Sequence, residues 1–289
     1  MLVKPQDYIN DALNNHYALG SFNSVNLEMT QAIIGAAGKK KSAVIVQTSE
    51  GAIEYAGLAA ISGMIKILAE ESLIPVIMHL DHGKSLAIVR KCIEAGYGSV
   101  MIDASKESLA DNVAITREAV EVAHARGVWV EAELGAIMGM EGAMGLRGRR
   151  TPNDFLTKPQ QVVDFVEQTG VDALAVSVGT IHGAFTGQEY IRFELVEKIE
   201  KITPDLPLVV HGASGITNEH LRRVASSNVC KINIDTEMRI AFTEAVKAYF
   251  SVNHDKVDIR DILGPAREAM QQVVEIKLDV FGSSGLADV

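Results

Sequence analysis

A (β/α)8 barrel is the fold this sequence predicts, and three observations predict it. Short apolar runs rich in β-branched residues alternate along the whole chain with longer stretches of helical period. Eight such strand–helix pairs can be counted in 289 residues, which closes a parallel barrel more readily than it extends an open sheet. Nearly every predicted strand also ends in polar or titratable residues, at the end where parallel α/β folds bind ligands.

Residues 5–15 carry Tyr8, Ile9, Ala12 and Leu13 on one helical side, and this short helix is expected to plug the bottom of the barrel. The first strand, 18–23, ends at Asn23 and precedes a helix at 27–37. The second, 42–49, ends at Ser49 and precedes a helix at 53–71. The third, 76–83, is opened by Pro75, where a missing N–H does little harm, and is largely apolar until Asp81-His82-Gly83. A helix at 86–95 stops at Gly96, and the fourth strand, 98–103, ends at Asp103. The helix at 109–126 stops at Gly127, a fitting residue for the left-handed position after a helix. The fifth strand, 128–135, carries Glu131 and Glu133. Residues 138–158 are rich in glycine and arginine and too long for an ordinary connection, so a mobile active-site loop is expected there. A helix at 159–169 leads to the sixth strand, 173–180, which runs on to His182. After a helix at 193–202 the seventh strand, 208–212, contains His211. After a helix at 217–226 the eighth strand, 229–235, carries Asn233 and Asp235. A helix at 237–250 completes the eighth unit, and a last helix at 262–280 is expected as an appendage used in packing or oligomerisation. No shift in composition marks a boundary, so residues 1–289 are expected to form a single barrel domain.

Hydrophobic residues make up 47% of the chain, ample for a large core. A net charge of −10 and a pI of about 5.3 disfavour nucleic acid, whose recognition needs a clustered basic surface. No apolar run approaches the ~20 residues of a membrane span, and the first residues lack a signal-peptide pattern. Cys92 and Cys230 stand far apart and read as buried thiols in a reducing compartment. The expectation is a cytoplasmic protein with no nucleic-acid or membrane partner.

Three histidines, His82, His182 and His211, each stand immediately before a glycine at a predicted strand end. Three imidazoles with one position left open are a common catalytic zinc arrangement. Taken singly, a strand-end histidine is more often a hydrogen-bonded turn residue; three in register make coincidence a poorer explanation. Asp81 beside His82 poses a geometric question, because adjacent strand residues point to opposite faces. Either one faces a site while the other lines its wall, or a twist at the strand end brings both in. His16, His79, His124, His220 and His254 receive no role, and His79 reads as a core residue. The run His211-Gly212-Ala213-Ser214-Gly215 is either a tight turn or, on a barrel, half of a phosphate cradle completed by Asn233-Ile234-Asp235-Thr236.

These residues carry a resemblance. Ser21-Phe22-Asn23, Leu80-Asp81-His82-Gly83, Met101-Ile102-Asp103-Ala104-Ser105, Glu131-Ala132-Glu133-Leu134-Gly135, Ser177 to Gly183, His211 to Gly215, Lys231 to Thr236 and Leu263-Gly264-Pro265-Ala266 follow one another in order. Together they resemble the class II, metal-dependent fructose-bisphosphate aldolases, including their tagatose-bisphosphate-specific relatives. The resemblance implies zinc on His82, His182 and His211, with Asp103 and Glu133 able to hold a displaced or second ion. It implies Asp81 as the group exchanging a proton with the C4 hydroxyl, and Glu141 as the acid/base at the enediolate carbon. It places Gly183, Gly212, Ser214, Asn233, Asp235 and Thr236 around dihydroxyacetone phosphate, with a monovalent cation (Na+ or K+) near the phosphate. Asn23 and Ser49 are assigned to the substrate site, and Arg260 to the distal phosphate of a neighbouring subunit's substrate in a homodimer or homotetramer.

Two departures bear on the phosphosugar taken. Thr186 stands where many members of that family have lysine, and Gly142 replaces a common acidic partner of Glu141. Arg147, Arg149 and Arg150 in the same loop either approach a phosphate or are solvated. The leading reading is zinc-dependent cleavage of fructose 1,6-bisphosphate, with tagatose 1,6-bisphosphate or a related phospho-ketose as the alternative. A Schiff-base aldolase using Lys231, and a phosphosugar-binding protein without chemistry, are the competing readings.

Overall fold

The computed structural model describes residues 1–139, 155–182 and 191–287, with only the backbone at 138, 139 and 182. Eight parallel strands close into a barrel, as the sequence predicts. Helix α1 (Gln6–Asn15) precedes β1 (Leu19–Asn23), and α2 (Leu27–Lys40) leads to β2 (Val44–Ser49). Helices α3 (Glu50–Ala56) and α4 (Leu58–Glu71) precede β3 (Val76–Gly83), which α5 (Leu86–Glu94) links to β4 (Ser99–Ile102). Then come α6 (Leu109–His124), β5 (Trp129–Leu134), the two-residue β6 (Met138–Gly139), α7 (Pro159–Thr169), β7 (Ala173–Val176) and a second two-residue strand, β8 (Ile181–His182). The chain continues through α8 (Phe193–Ile202), β9 (Leu208–Val210), α9 (Asn218–Ala225), β10 (Val229–Ile234), α10 (Thr236–Val252) and α11 (Ile259–Phe281). Around the barrel the order is β1-β2-β3-β4-β5-β7-β9-β10, and β10 pairs back onto β1. Side-chain caps fix several helix starts: Asn26, Ser85, Ser108 and Thr217 each accept a backbone N–H of the first turn.

The two-residue period of a strand sorts each side chain to one of two cores. On β3, Val76, Met78 and Leu80 face the helices, while Ile77 faces inward. Inside the bottom of the barrel Ile77 meets Leu19, Ile45, Met101, Trp129, Ala173, Val209 and Cys230. Ile9 and Ala12 of α1 pack onto the same cluster, so the first helix does plug the base. Climbing each strand by two residues changes the chemistry. Above the apolar floor stand Ser21, Gln47, His79, Glu131 and Lys231, and above those Asn23, Asp81, Glu133, His211 and Asn233, all buried. The upper half of the barrel is therefore a polar column on an apolar plug.

The structure corrects the sequence reading at two places. The helix expected at 53–71 is two helices bent by 97° at Gly57, whose φ of +82° breaks the first. The sixth strand stops at Val176, because Gly179 turns the chain at φ +106°; His182 lies instead in β8, paired with β6 outside the barrel. In the segment expected as a loop, Met138 and Gly139 pair with β8, while 140–154 lie outside the described residues. The last helix is used in packing, as expected: Ala266, Met270, Val274, Leu278 and Phe281 of α11 are buried, and Lys39 and Lys40 of α2 pair with its Glu275 and Asp279. Among the described residues no single helix is long and apolar enough to cross a membrane.

Candidate active site

Alternation places Asp81 inward and His82 outward, yet both reach the barrel mouth. His82 adopts φ +48°, a left-handed conformation uncommon outside glycine, and the β3–β4 register slips between Leu80 and Gly83. That bulge turns two consecutive side chains toward one centre. Gly83 permits it, since a Cβ there would meet the Met101 carbonyl oxygen at 2.6 Å. Gly212 serves His211 in the same way: its φ is +60°, and a Cβ would lie 2.6 Å from the Ile181 carbonyl oxygen. The His-Gly pairs thus mark close backbone approaches, and the second seats His211 against the peptide that precedes His182. The His182 side chain itself lies outside the described residues.

His82 and His211 meet edge to face, with Nε2 of one 2.9 Å from Nδ1 of the other. Each ring's other nitrogen meets a carboxylate. Asp103 Oδ2 accepts from His82 Nδ1 at 2.9 Å, and Glu131 Oε1 accepts from His211 Nε2 at 2.6 Å. A carboxylate behind each imidazole fixes the tautomer and aims the remaining lone pair at one point. This donor set fits a divalent ion of the zinc type, to be held by His82 Nε2 and His211 Nδ1; the Asp81 carboxylate belongs to the same cluster, its Oδ1 3.9 Å from His82 Nε2. A second cluster comprises His82, Asp103 and Glu133, with Glu133 Oε2 3.9 Å from His82 Nδ1. Ser105 donates to Asp103 through both N and Oγ, and Ile137 N donates to Glu133 Oε1.

Asp81 hangs between two amides: Asn23 Nδ2 donates to Oδ2 at 2.9 Å, and Asn233 Nδ2 lies 3.3 Å from Oδ1. Burial raises its pKa, but the neighbouring charges of His82, His211 and Lys231 and the Asn23 hydrogen bond outweigh this and hold it below the usual carboxylate value. Burial alone lowers His82; Asp81, the Asp103 hydrogen bond and Glu133 reverse that and hold it up at about 10. Glu133 is pushed up to about 8 by burial and by Asp103. His82 and Asp103 face each other at 2.9 Å, so their opposite shifts express one ion pair.

Ser214 sits where a phosphate cradle is expected, its Oγ 3.4 Å from the backbone N–H groups of Asp235 and Glu237 at the start of α10. Thr236 is the first residue of that helix, and Asp235 pairs with Arg239 at 2.6 Å. Ser49 caps α3 through the Ala52 N–H and lies in register with Asp81. Arg260 is exposed and paired with Asp258, and does not join this chain's site. Glu141, Gly183, Thr186, Arg147, Arg149 and Arg150 lie outside the described residues.

Sequence reasoning did not join the residues of the layer beneath. Lys231 Nζ, wholly buried, lies 3.0 Å from Glu131 Oε2 and donates to Asn233 Oδ1 at 2.7 Å. His79 Nδ1 meets Ser99 Oγ at 2.6 Å, and its Nε2 faces Glu131 Oε2 at 3.6 Å. Gln47 donates to Asn23 Oδ1 and accepts from Ser21 Oγ. Each of these residues stands two positions before a mouth residue on its own strand, or is bonded to one that does. Polar character repeated at i and i−2 was the available signal.

Comparison with known proteins gives one answer. The family model described as "Fructose-bisphosphate aldolase class-II" matches residues 3–286. A fructose-bisphosphate aldolase of Geobacillus stearothermophilus is 43% identical over 289 residues, covering 99% of each chain. A 6-phospho-5-dehydro-2-deoxy-D-gluconate aldolase of Bacillus licheniformis is 40% identical over 288 residues, covering 99% of this chain and 96% of its own. Among solved structures, the YdjI aldolase of Escherichia coli K12 matches with a TM-score of 0.87 and 35% identity over 100% of both chains.

Proposed function

The chain belongs to the class II fructose-bisphosphate aldolase family, and from that premise we propose that it cleaves fructose 1,6-bisphosphate reversibly to dihydroxyacetone phosphate and glyceraldehyde 3-phosphate. The observation that carries the proposal is the pairing of two carboxylate-backed imidazoles with an Asp81 suspended between two amides. When bound, zinc supplies Lewis-acid polarisation of the substrate ketone. His82 and His211 would hold it, and His182, on β8, is assigned as the third ligand. Asp103 and Glu133 provide the alternate or second position.

Asp81 performs the proton transfer at O4. Its carboxylate is kept ionised by the surrounding positive charge, so it accepts the C4 hydroxyl proton as the C3–C4 bond breaks, and returns it on condensation. The donors Asn23 and Asn233 leave the carboxylate little rotational freedom, so it is aimed before substrate arrives. Glu141 is assigned to the proton at C3 on the family resemblance alone. Ser214, Asp235, Thr236 and Gly212, with Gly183, form the phosphate end, where the start of α10 offers backbone N–H groups to an anion, with a monovalent cation alongside. Asn23 and Ser49 line the sugar, and Arg260 serves a neighbouring subunit. Exposed Ile240, Phe250 and Val252 on α10, Val257 after it and Ile259 at the start of α11 support a homodimer or homotetramer. The two buried, unpaired cysteines support a reducing, cytoplasmic setting.

Lys231 is a poor Schiff-base nucleophile, since it is wholly buried under the site and engaged by Glu131 and Asn233. The Bacillus licheniformis relative, nearly as similar as the first, favours a monophosphorylated keto sugar acid as a second reading of the substrate. A coupled assay with fructose 1,6-bisphosphate, tagatose 1,6-bisphosphate and 6-phospho-5-dehydro-2-deoxy-D-gluconate separates them. The proposal expects the largest kcat/KM for fructose 1,6-bisphosphate; a larger value for either competitor replaces it.

A further inference from the structure

The layer under the site contains a cation that the reaction does not consume. Lys231 lies on β10, wholly buried; its ammonium forms an ion pair with Glu131 Oε2 on β5 at 3.0 Å and donates to Asn233 Oδ1 on its own strand at 2.7 Å. Each acceptor continues to one arm of the site. Glu131 presents its other oxygen to His211 Nε2 at 2.6 Å, and Asn233 turns its Nδ2 toward Asp81 Oδ1 at 3.3 Å. We propose that Lys231 is a positioning residue that joins the two arms, orienting His211 through Glu131 and Asp81 through Asn233; this rests on the metal-dependent reading above.

The chemistry of the donors makes the assignment specific. An ammonium only donates, so the atom of Asn233 that faces Lys231 must be the carbonyl oxygen. The amide is thereby locked with its NH2 toward Asp81, the orientation that a carboxylate requires. A carboxylate held by an ammonium at one oxygen presents the other as an acceptor, which keeps the proton on His211 Nε2 and leaves Nδ1 to face His82. Stability alone does not call for this arrangement, because well-packed apolar residues replace a buried ion pair at little or no cost. What apolar residues cannot do is fix an amide and an imidazole tautomer together.

Lys231→Met tests the proposal through two readouts, zinc affinity by competition with a chromophoric chelator and kcat against KM at saturating zinc. Zinc affinity is expected to fall about 10–100-fold, the usual effect of losing an outer partner of a metal ligand. Saturated kcat is expected to fall roughly 10²-fold, with KM changed much less, because a misaimed general base costs turnover rather than binding. Should Lys231→Met not fold, K231M/E131Q removes the uncompensated carboxylate and must still lose kcat, since Asn233 remains unanchored. A folded variant that binds zinc and turns over within about twofold of the parent overturns the proposal. Loss in one readout alone also overturns it, because the two arms would then be independent. If the parent turns over no phospho-ketose, the proposed function fails, while the zinc comparison still decides the His211 arm.

Discussion

Gly212→Ala perturbs the site through backbone alone. The residue has φ +60°, and holding alanine in the left-handed region costs roughly 1–2 kcal/mol. The new Cβ would stand 2.6 Å from the Ile181 carbonyl oxygen and 2.7 Å from its carbon, where ordinary contact begins at 3.4 Å, so a peptide must move by about 0.8 Å. Strain and overpacking together give an expected destabilisation of about 2–4 kcal/mol. The displaced peptide is the one that leads into His182, and its neighbour is His211. Zinc affinity should therefore fall by about 10–100-fold, as when ligand orientation is lost elsewhere. Urea unfolding of the metal-free protein reads the first effect, and chelator competition the second. A variant within about 0.5 kcal/mol of the parent, with unchanged zinc affinity, would refute the argument that these glycines exist to bring the histidine-bearing chains together.

Asp81→Ala is expected to retain zinc and lose about 10²–10⁴-fold in kcat, measured by coupled assay alongside metal analysis; loss of zinc would instead make Asp81 a ligand. The metal-free protein should lose stability as pH rises from 6 to 9 in thermal unfolding. Glu133 at about 8 in the fold, against 4.5 unfolded, favours folding most when protonated, so its contribution is lost as pH climbs through that interval. His82 at about 10, against 6.5, stabilises fully below 6.5 and less with each step above it. Zinc takes the place of these protons, so the gap in melting temperature between loaded and metal-free protein should widen with pH; a constant gap contradicts the assignment.

The barrel was legible because period-two apolar segments alternate with helical ones, and the two interior faces follow from that period. His82 and His211 were legible as strand-end residues, and the placement of Asp81 beside His82 resolved once φ +48° at His82 and the β3–β4 register shift were seen. A single backbone conformation of that kind leaves no trace in composition. The break at Gly57 was missed because one glycine inside a helical pattern is usually tolerated. The separation of His182 from the sixth strand was missed because Ser177 to Thr180 keep a strand-like pattern while Gly179 turns the chain. Glu131 was read as a residue of the fifth strand and Lys231 as a competing nucleophile, and their pairing was not, since partners on different strands acquire meaning only when the barrel closes.

Metal dependence of turnover tests the central claim most directly. Protein stripped with EDTA, and shown by elemental analysis to hold no metal, is assayed on fructose 1,6-bisphosphate before and after titration with zinc. The account predicts no turnover in the stripped protein and recovery that saturates at the occupancy of the His82–His211 site. Full turnover in metal-free protein, or a borohydride-trapped adduct on Lys231, would contradict it.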